Sequence, residues 1–227
     1  MTQPPLQALQ TIEHETGPQP RASVVVLHGL GADGHDFEAV ADQLDLAAAG
    51  PLRFVFPHAP VRRVTINGGM AMRAWYDILG FDFTRRGEDE PGLRASQAQV
   101  AALLDREVQR GVPAGRIVLA GFSQGCAMAL LTGLRYPARL AGLVGLSGYL
   151  PLAASTEAER QGANAATPLF LAHGRNDPVV PLAAGLQARD TLQALGHPVE
   201  WHDYPMQHGV CAEELAHLQA WLLQVLG

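Results

Sequence analysis

The chain has 227 residues, enough for one domain with a full hydrophobic core and short for two. Apolar residues make up 48% of it and charged residues 17%, which excludes an intrinsically disordered polymer. The net charge of -6 comes from scattered acids with no basic stripe, so nothing in the composition points to a nucleic-acid partner.

The first twenty residues, MTQPPLQALQTIEHETGPQP, carry no basic segment followed by an apolar one, and a secretion signal is not expected. A first strand is predicted over 23–27 (SVVVL), followed by a glycine-rich loop, LHGLGADGHDF, and a helix over 35–48. A second strand is predicted over 53–57 (RFVFP). Residues 58–92 then form an excursion too long for a simple connection. Its apolar set, Met70, Met72, Trp75, Tyr76 and Ile78, fits either a pocket wall or an auxiliary hairpin packed on the core.

A helix is predicted over 93–110, with Val100, Leu103, Leu104 and Val108 at spacings of three and four marking a buried face. Next come a strand over 116–120 (RIVLA), a helix over 124–136 and a strand over 140–147. A second irregular excursion covers 151–167. The chain closes with a strand over 168–173, a helix over 182–195, a strand over 199–204 and a helix over 211–226. Several strands are apolar on both faces, as parallel strands covered on both sides must be. The alternation predicts one α/β domain over residues 1–227, with a mostly parallel central sheet flanked by helices.

No uncharged apolar run reaches the roughly 18 residues that a membrane helix needs. Cys126 and Cys211 are too few for a disulfide framework and match no zinc spacing, so two reduced thiols in a cytoplasmic protein are expected. The histidines show no H-x-x-x-H or H-E-x-x-H spacing, and no metal site is expected.

One five-residue stretch carries chemistry. Gly121-Phe122-Ser123-Gln124-Gly125 sits where the strand RIVLA hands over to an Ala/Leu-rich helix. Flanking glycines let the backbone bend sharply enough to expose the serine hydroxyl at the carboxyl end of the sheet. Ser147 also ends an apolar strand, but no glycine stands two residues on and no helix follows. A structural role is expected for it.

A serine hydroxyl is a weak nucleophile without a base. Of the later histidines, His208 fits best, in a loop between the last strand and the last helix. His173, His197, His202 and His217 sit in strands, a turn or a helix. An acid to orient the base is expected at another strand end between them, and Asp177 in HGRNDP satisfies this; its alternative is an Asx-turn residue holding its own loop. Asp190 and Asp203 are weaker. Ser123, Asp177 and His208 are therefore expected to act as nucleophile, orienting acid and general base. Donors for a developing oxyanion are expected from the backbone N–H groups of Gln124 and Leu30. His28 is expected to be buried and to support that loop. A phosphate-binding reading of GLGADG lacks the acidic ribose ligand it requires.

Read together and in order, LHGLGADGHDF, FPHAP, VTINGG, AWYDI, GFSQG, LSGYLP, HGRNDPVV and QHGVC resemble the phospholipase/carboxylesterase family. That family includes bacterial carboxylesterases and the acyl-protein thioesterases. The resemblance implies a single-domain α/β-hydrolase and a cofactor-free Ser-Asp-His triad at Ser123, Asp177 and His208, with oxyanion donors at Leu30 and Gln124. It also implies that Trp75 and its loop, with Met72 and Met70, flank an acyl-binding groove, and that the protein is a monomer or a homodimer. The expected activity is hydrolysis of short- to medium-chain carboxylic esters. Alternatives are an acyl-protein thioesterase or lysophospholipase acting on longer chains and, more remotely, a non-catalytic binding module. Cys126, His35 and Gly209 depart from the family pattern, which usually has glycine at the first and often has asparagine and serine at the others.

Overall fold

The computed structural model describes residues 8–80 and 87–227. A seven-stranded sheet runs β1 (Thr11–Glu15), β3 (Leu52–Pro57), β2 (Ala22–Leu27), β6 (Ile117–Phe122), β7 (Gly142–Leu146), β8 (Leu169–Gly174) and β9 (Val199–Tyr204) across its width. Only β1 is antiparallel, pairing with β3 from Thr11↔Pro57 to Glu15↔Arg53.

Alternate residues of the strands enter two separate cores, as the period of a pleated strand requires. Val25, Leu27, Ile117, Leu119, Leu143, Leu169 and Leu171 face one side. There they meet α2 (Glu90–Gln109), α3 (Gln124–Arg135) and α5 (Leu182–Ala194). Val24, Val118, Ala120, Val144, Phe170 and Ala172 face the other, beneath α1 (Glu38–Ala41) and α6 (Ala212–Leu226). This is the single, mostly parallel α/β domain that the alternation of elements implies.

The structure corrects several expectations. The helix expected over 35–48 shrinks to a 3₁₀ turn at Gly34–Phe37, the single turn of α1 and a second 3₁₀ turn at Ala47–Ala49. Excursion 151–167 holds the helix α4 (Ala153–Glu159). Excursion 58–92 contains a hairpin of β4 (Val61–Val64) and β5 (Met70–Arg73), with residues 81–86 outside the described part. Val108, expected on the buried face of α2, is 41% exposed, whereas Glu107 is fully buried. Its carboxylate accepts hydrogen bonds from Ser23 Oγ (2.7 Å), Arg53 Nη1 (2.8 Å) and Arg110 Nη1 (2.9 Å). Burial of the charge is tolerated because both carboxylate oxygens accept hydrogen bonds, two of them from guanidinium groups.

The sheet order reverses direction between β2 and β6. Strands after β2 are added outward through β3, and strands after β6 outward through β9. Open α/β sheets bind ligands at such a switch point, above the carboxyl ends of the strands. Leu27 and Gly121 are paired neighbours there, so the loop after β2 and the turn after β6 rise side by side.

Candidate active site

Ser123 follows β6 directly and is the N-cap of α3, with φ 57° and ψ -116°. A non-glycine residue in that region costs of order 1–3 kcal/mol and persists only where its surroundings impose it. Two things impose it here. The Ser123 N–H is tied to the Leu146 carbonyl at 2.8 Å. The flanking glycines permit contacts that no β-carbon would: one on Gly121 would run into the Gly125 carbonyl, and one on Gly125 into the Leu27 carbonyl. The reversal therefore needs both glycines.

The hydroxyl so presented meets His208. His208 Nε2 lies 3.0 Å from Ser123 Oγ, and His208 Nδ1 lies 2.7 Å from Asp177 Oδ2. His208 comes from the loop between β9 and α6, and its ring packs on Phe122 with centroids 4.8 Å apart. Asp177 comes from the loop after β8, its side chain fully buried. Asp177 Oδ1 accepts the backbone N–H groups of Val179 (2.8 Å) and Val180 (2.9 Å). The two readings of this aspartate are thus compatible: one oxygen holds its own turn and the other faces the imidazole. Chemically, the line can move a proton from a hydroxyl to an imidazole whose far side is held by a carboxylate.

Beside Ser123, the Gln124 N–H opens α3 and has no preceding carbonyl within the helix to bond. Among the described residues the Leu30 N–H donates to nothing either. His28 is buried. Its Nε2 accepts the Ala59 N–H at 3.0 Å, which places the ring proton on Nδ1, 2.7 Å from the Gly29 carbonyl. Burial lowers the affinity of this imidazole for a second proton and keeps it neutral. The carbonyl it holds belongs to the same planar peptide unit as the Leu30 N–H, so that N–H is turned the other way.

The remaining candidates lie apart from this line or behind it. His173 is buried beside Asp177, with Nε2 2.8 Å from the Val180 carbonyl; burial lowers its pKa. His202 faces Glu200 and stacks on His217, which meets the Tyr204 hydroxyl. Buried His197 has no partner among the described residues. Asp190 pairs with Arg189, and Asp203 with Arg175. Ser147 is buried with φ 50°, its N–H bonded to the Ala172 carbonyl, and no base reaches its hydroxyl among the described residues.

The expected pocket set needs correction. Trp75 is completely buried and offers no surface to a ligand. Its indole N–H is bonded to the His28 carbonyl at 2.9 Å, which makes it part of the frame behind the site. Met70 is 63% exposed beside the hairpin turn. Met72 lies on the open side of the loop after β2, its Sδ 3.9 Å from where a Gly31 β-carbon would stand.

The departures are mild. Cys126 is buried against Gly145 and Gly148, and burial pushes its thiol up to about 12. His35 is exposed near Glu38, and open space lies beside Gly209. One group had no sign in the reading of the motifs: the Gln124 side chain, 3% exposed, faces the Trp75–Tyr76 backbone.

A strained serine at the switch point of a mostly parallel sheet, followed by an acid and a histidine from later strand ends, defines an α/β-hydrolase. The phospholipase/carboxylesterase family model matches residues 9–226. Acyl-protein thioesterase 1 of Neurospora crassa is 40% identical over 213 residues, covering 90% of this chain and 87% of its own. The crystal structure of Zea mays acyl-protein thioesterase 2 superposes with a TM-score of 0.83 at 32% identity, over 95% of this chain and 99% of that one. Arabidopsis thaliana SOBER1 superposes at 0.85 with 30% identity, over 91% and 100%. The chain belongs to the phospholipase/carboxylesterase family and is an esterase-type hydrolase. Among the described residues no helix is long and apolar enough to cross a membrane.

Proposed function

We propose that the chain hydrolyses acyl thioesters of acylated proteins or peptides through an acyl-enzyme on Ser123. The hydrogen-bonded line Ser123–His208–Asp177 carries the chemistry of this reading. The choice of substrate is supported by the thioesterase from Neurospora crassa, 40% identical across nine-tenths of the chain. It displaces the short- to medium-chain ester expected from the motifs, and the lysophospholipase reading shares the same chemistry.

In the first half-reaction Ser123 Oγ attacks the thioester carbonyl carbon as His208 Nε2 takes its proton. Asp177 Oδ2 stabilises the imidazolium through Nδ1. The carbonyl oxygen becomes an oxyanion facing the N–H groups of Leu30 and Gln124. Collapse breaks the C–S bond, and His208 returns the proton to the leaving sulfur. Water then attacks the acyl-enzyme, giving its proton to His208. The second collapse breaks the carbon–Oγ bond and restores Ser123 with release of a carboxylic acid. Met72 and the β4–β5 hairpin flank the acyl chain, and the two unpaired thiols Cys126 and Cys211 suit a reducing, cytoplasmic setting.

The test compares a long-chain S-acyl peptide with p-nitrophenyl butyrate, alongside fluorophosphonate labelling of the wild type and Ser123→Ala. Labelling should vanish in the variant, and kcat/KM should favour the long acyl thioester. Turnover retained by Ser123→Ala would sink the mechanism, and indifference to the thioester would return the reading to a simple esterase.

A further inference from the structure

The two N–H groups facing the proposed oxyanion position belong to different parts of the chain, one in the loop after β2 and one at the start of α3. Their usefulness depends on a fixed separation, because stabilisation of a developing charge falls off when a donor moves by a fraction of an ångström. Three hydrogen bonds connect them.

The Gln124 side-chain amide bonds the backbone on either side of the Trp75–Tyr76 peptide. Its Oε1 accepts the Trp75 N–H at 2.8 Å, and its Nε2 donates to the Tyr76 carbonyl at 2.8 Å. Trp75 in turn donates its indole N–H to the His28 carbonyl at 2.9 Å. The His28 ring lies 5.3 Å from the Trp75 ring, centroid to centroid, and holds the Gly29–Leu30 peptide from its far side. The Ser96 hydroxyl closes the set from α2 by donating to the Trp75 carbonyl. All of these side chains are nine-tenths or more buried. A buried amide is costly unless both its donor and its acceptor are used, and here both are used on a single strap of backbone.

We propose that Gln124 and Trp75 are positioning residues that lock the two oxyanion donors into one frame. Gln124 acts twice. Its own N–H is one donor, and its side chain, through the Trp75 indole, sets the loop that presents the other. The assignment rests on the serine-hydrolase reading above and adds to it a role for two side chains that touch no reacting atom.

The two halves of the frame can be cut separately. Trp75→Phe removes the indole N–H and keeps an aromatic ring in the core; Gln124→Met keeps the side-chain volume and removes both amide bonds. For each variant, kcat and KM are measured on p-nitrophenyl butyrate, together with inhibition by an alkyl trifluoromethyl ketone. That inhibitor adds to the serine as a hemiketal and places an oxyanion between the donors. Thermal unfolding confirms that each variant is folded, and if Trp75→Phe does not fold, Gln124→Met carries the test.

The expected result is a fall in kcat of about tenfold to a hundredfold, with a matching loss of ketone affinity, while KM and the shape of the pH profile stay as in the wild type. The double variant should lose about as much as the worse single one, because both substitutions cut the same chain. A folded variant with kcat and ketone affinity within about twofold of wild type would overturn the proposal, as would additive losses in the double variant. Failure of the parent reading looks different: wild type would then form no fluorophosphonate adduct on Ser123.

Discussion

Replacing Asp177 by asparagine tests the orienting carboxylate with almost no change in shape. Asp177 Oδ1 accepts two backbone N–H groups, from Val179 and Val180. An asparagine must keep its oxygen there, because its NH₂ would otherwise face two donors, at about 1–3 kcal/mol for each bond left unmade. The NH₂ is then directed at His208 Nδ1, where the carboxylate oxygen stood at 2.7 Å. Nδ1 can meet it only as an acceptor, so the ring proton moves to Nε2. That nitrogen faces Ser123 Oγ at 3.0 Å and, once protonated, cannot take the hydroxyl proton. The same substitution in another Ser-His-Asp hydrolase costs about 10⁴ in kcat, equivalent to roughly 5.4 kcal/mol of barrier. A loss of that order is expected here for p-nitrophenyl butyrate, with a melting temperature close to wild type because both turn bonds survive. Asp177→Ala removes the orienting group without enforcing the unreactive tautomer, so its kcat should be the higher of the two. Activity of Asp177→Asn within tenfold of wild type would refute the reasoning, and so would an alanine variant slower than the asparagine one.

Two further substitutions address stability. Glu107→Gln should lower stability by about 3–5 kcal/mol, breaking the buried pair and leaving Arg53 with only the exposed Glu15 as a countercharge. At roughly 2–4 °C per kcal/mol for a chain of this size, the melting temperature should fall by about 6–20 °C with kcat/KM per folded molecule unchanged. Burial alone would raise the Glu107 pKa, but hydrogen bonds from Arg53 and Ser23 and the Arg110 charge outweigh it and hold it below the ordinary carboxylate range. The stabilisation is therefore present above the unfolded-state pKa and lost as pH falls through the depressed value, so the gap between variant and wild type should close in acid. Glu214 at the start of α6 is the opposite case. Burial raises its carboxyl to about 7, against a backbone N–H of Cys211 that favours ionisation, and neither oxygen makes a well-formed hydrogen bond among the described residues. Between about pH 4.5 and 7 the unfolded chain gives up this proton while the fold retains it, so stability falls as pH rises. Glu214→Gln should abolish that component and add roughly 3 kcal/mol at pH 8, read from urea unfolding at pH 5 and 8. An unaltered pH dependence would show that the carboxyl is ionised within the fold.

These effects differ in how far they could be read along the chain. Five of the six parallel strands were legible because burial on both faces demands a run rich in Val, Leu, Ile and Phe, which is a local property, whereas β9 (VEWHDY) is a half-buried edge strand read from its Val, Trp and Tyr. β1 was not: no strand is predicted over TIEHE, whose charged residues give no apolar run, and only pairing with β3 makes it an edge strand with three of its five residues exposed. Periodicity on α2 failed at its last turn for a related reason. Spacing marks Val108 for burial, yet the buried position went to Glu107, whose partner Arg53 lies 54 residues earlier.

The candidate site divides along the same line. Ser123, Asp177 and His208 each follow a strand within four residues, so their order and their turn chemistry were visible without coordinates. Trp75 was misread as a pocket wall because an apolar aromatic in a long loop carries no local sign of which way it faces. What buries it is a bond to a carbonyl 47 residues earlier and another to an amide 49 residues later. Residues that present a reacting group are selected by the bend of their own backbone, whereas residues that hold two such groups at a fixed separation are selected by distant partners. The second kind should be recovered wherever a buried amide side chain adjoins a nucleophile, since its two bonds must end on some other part of the chain.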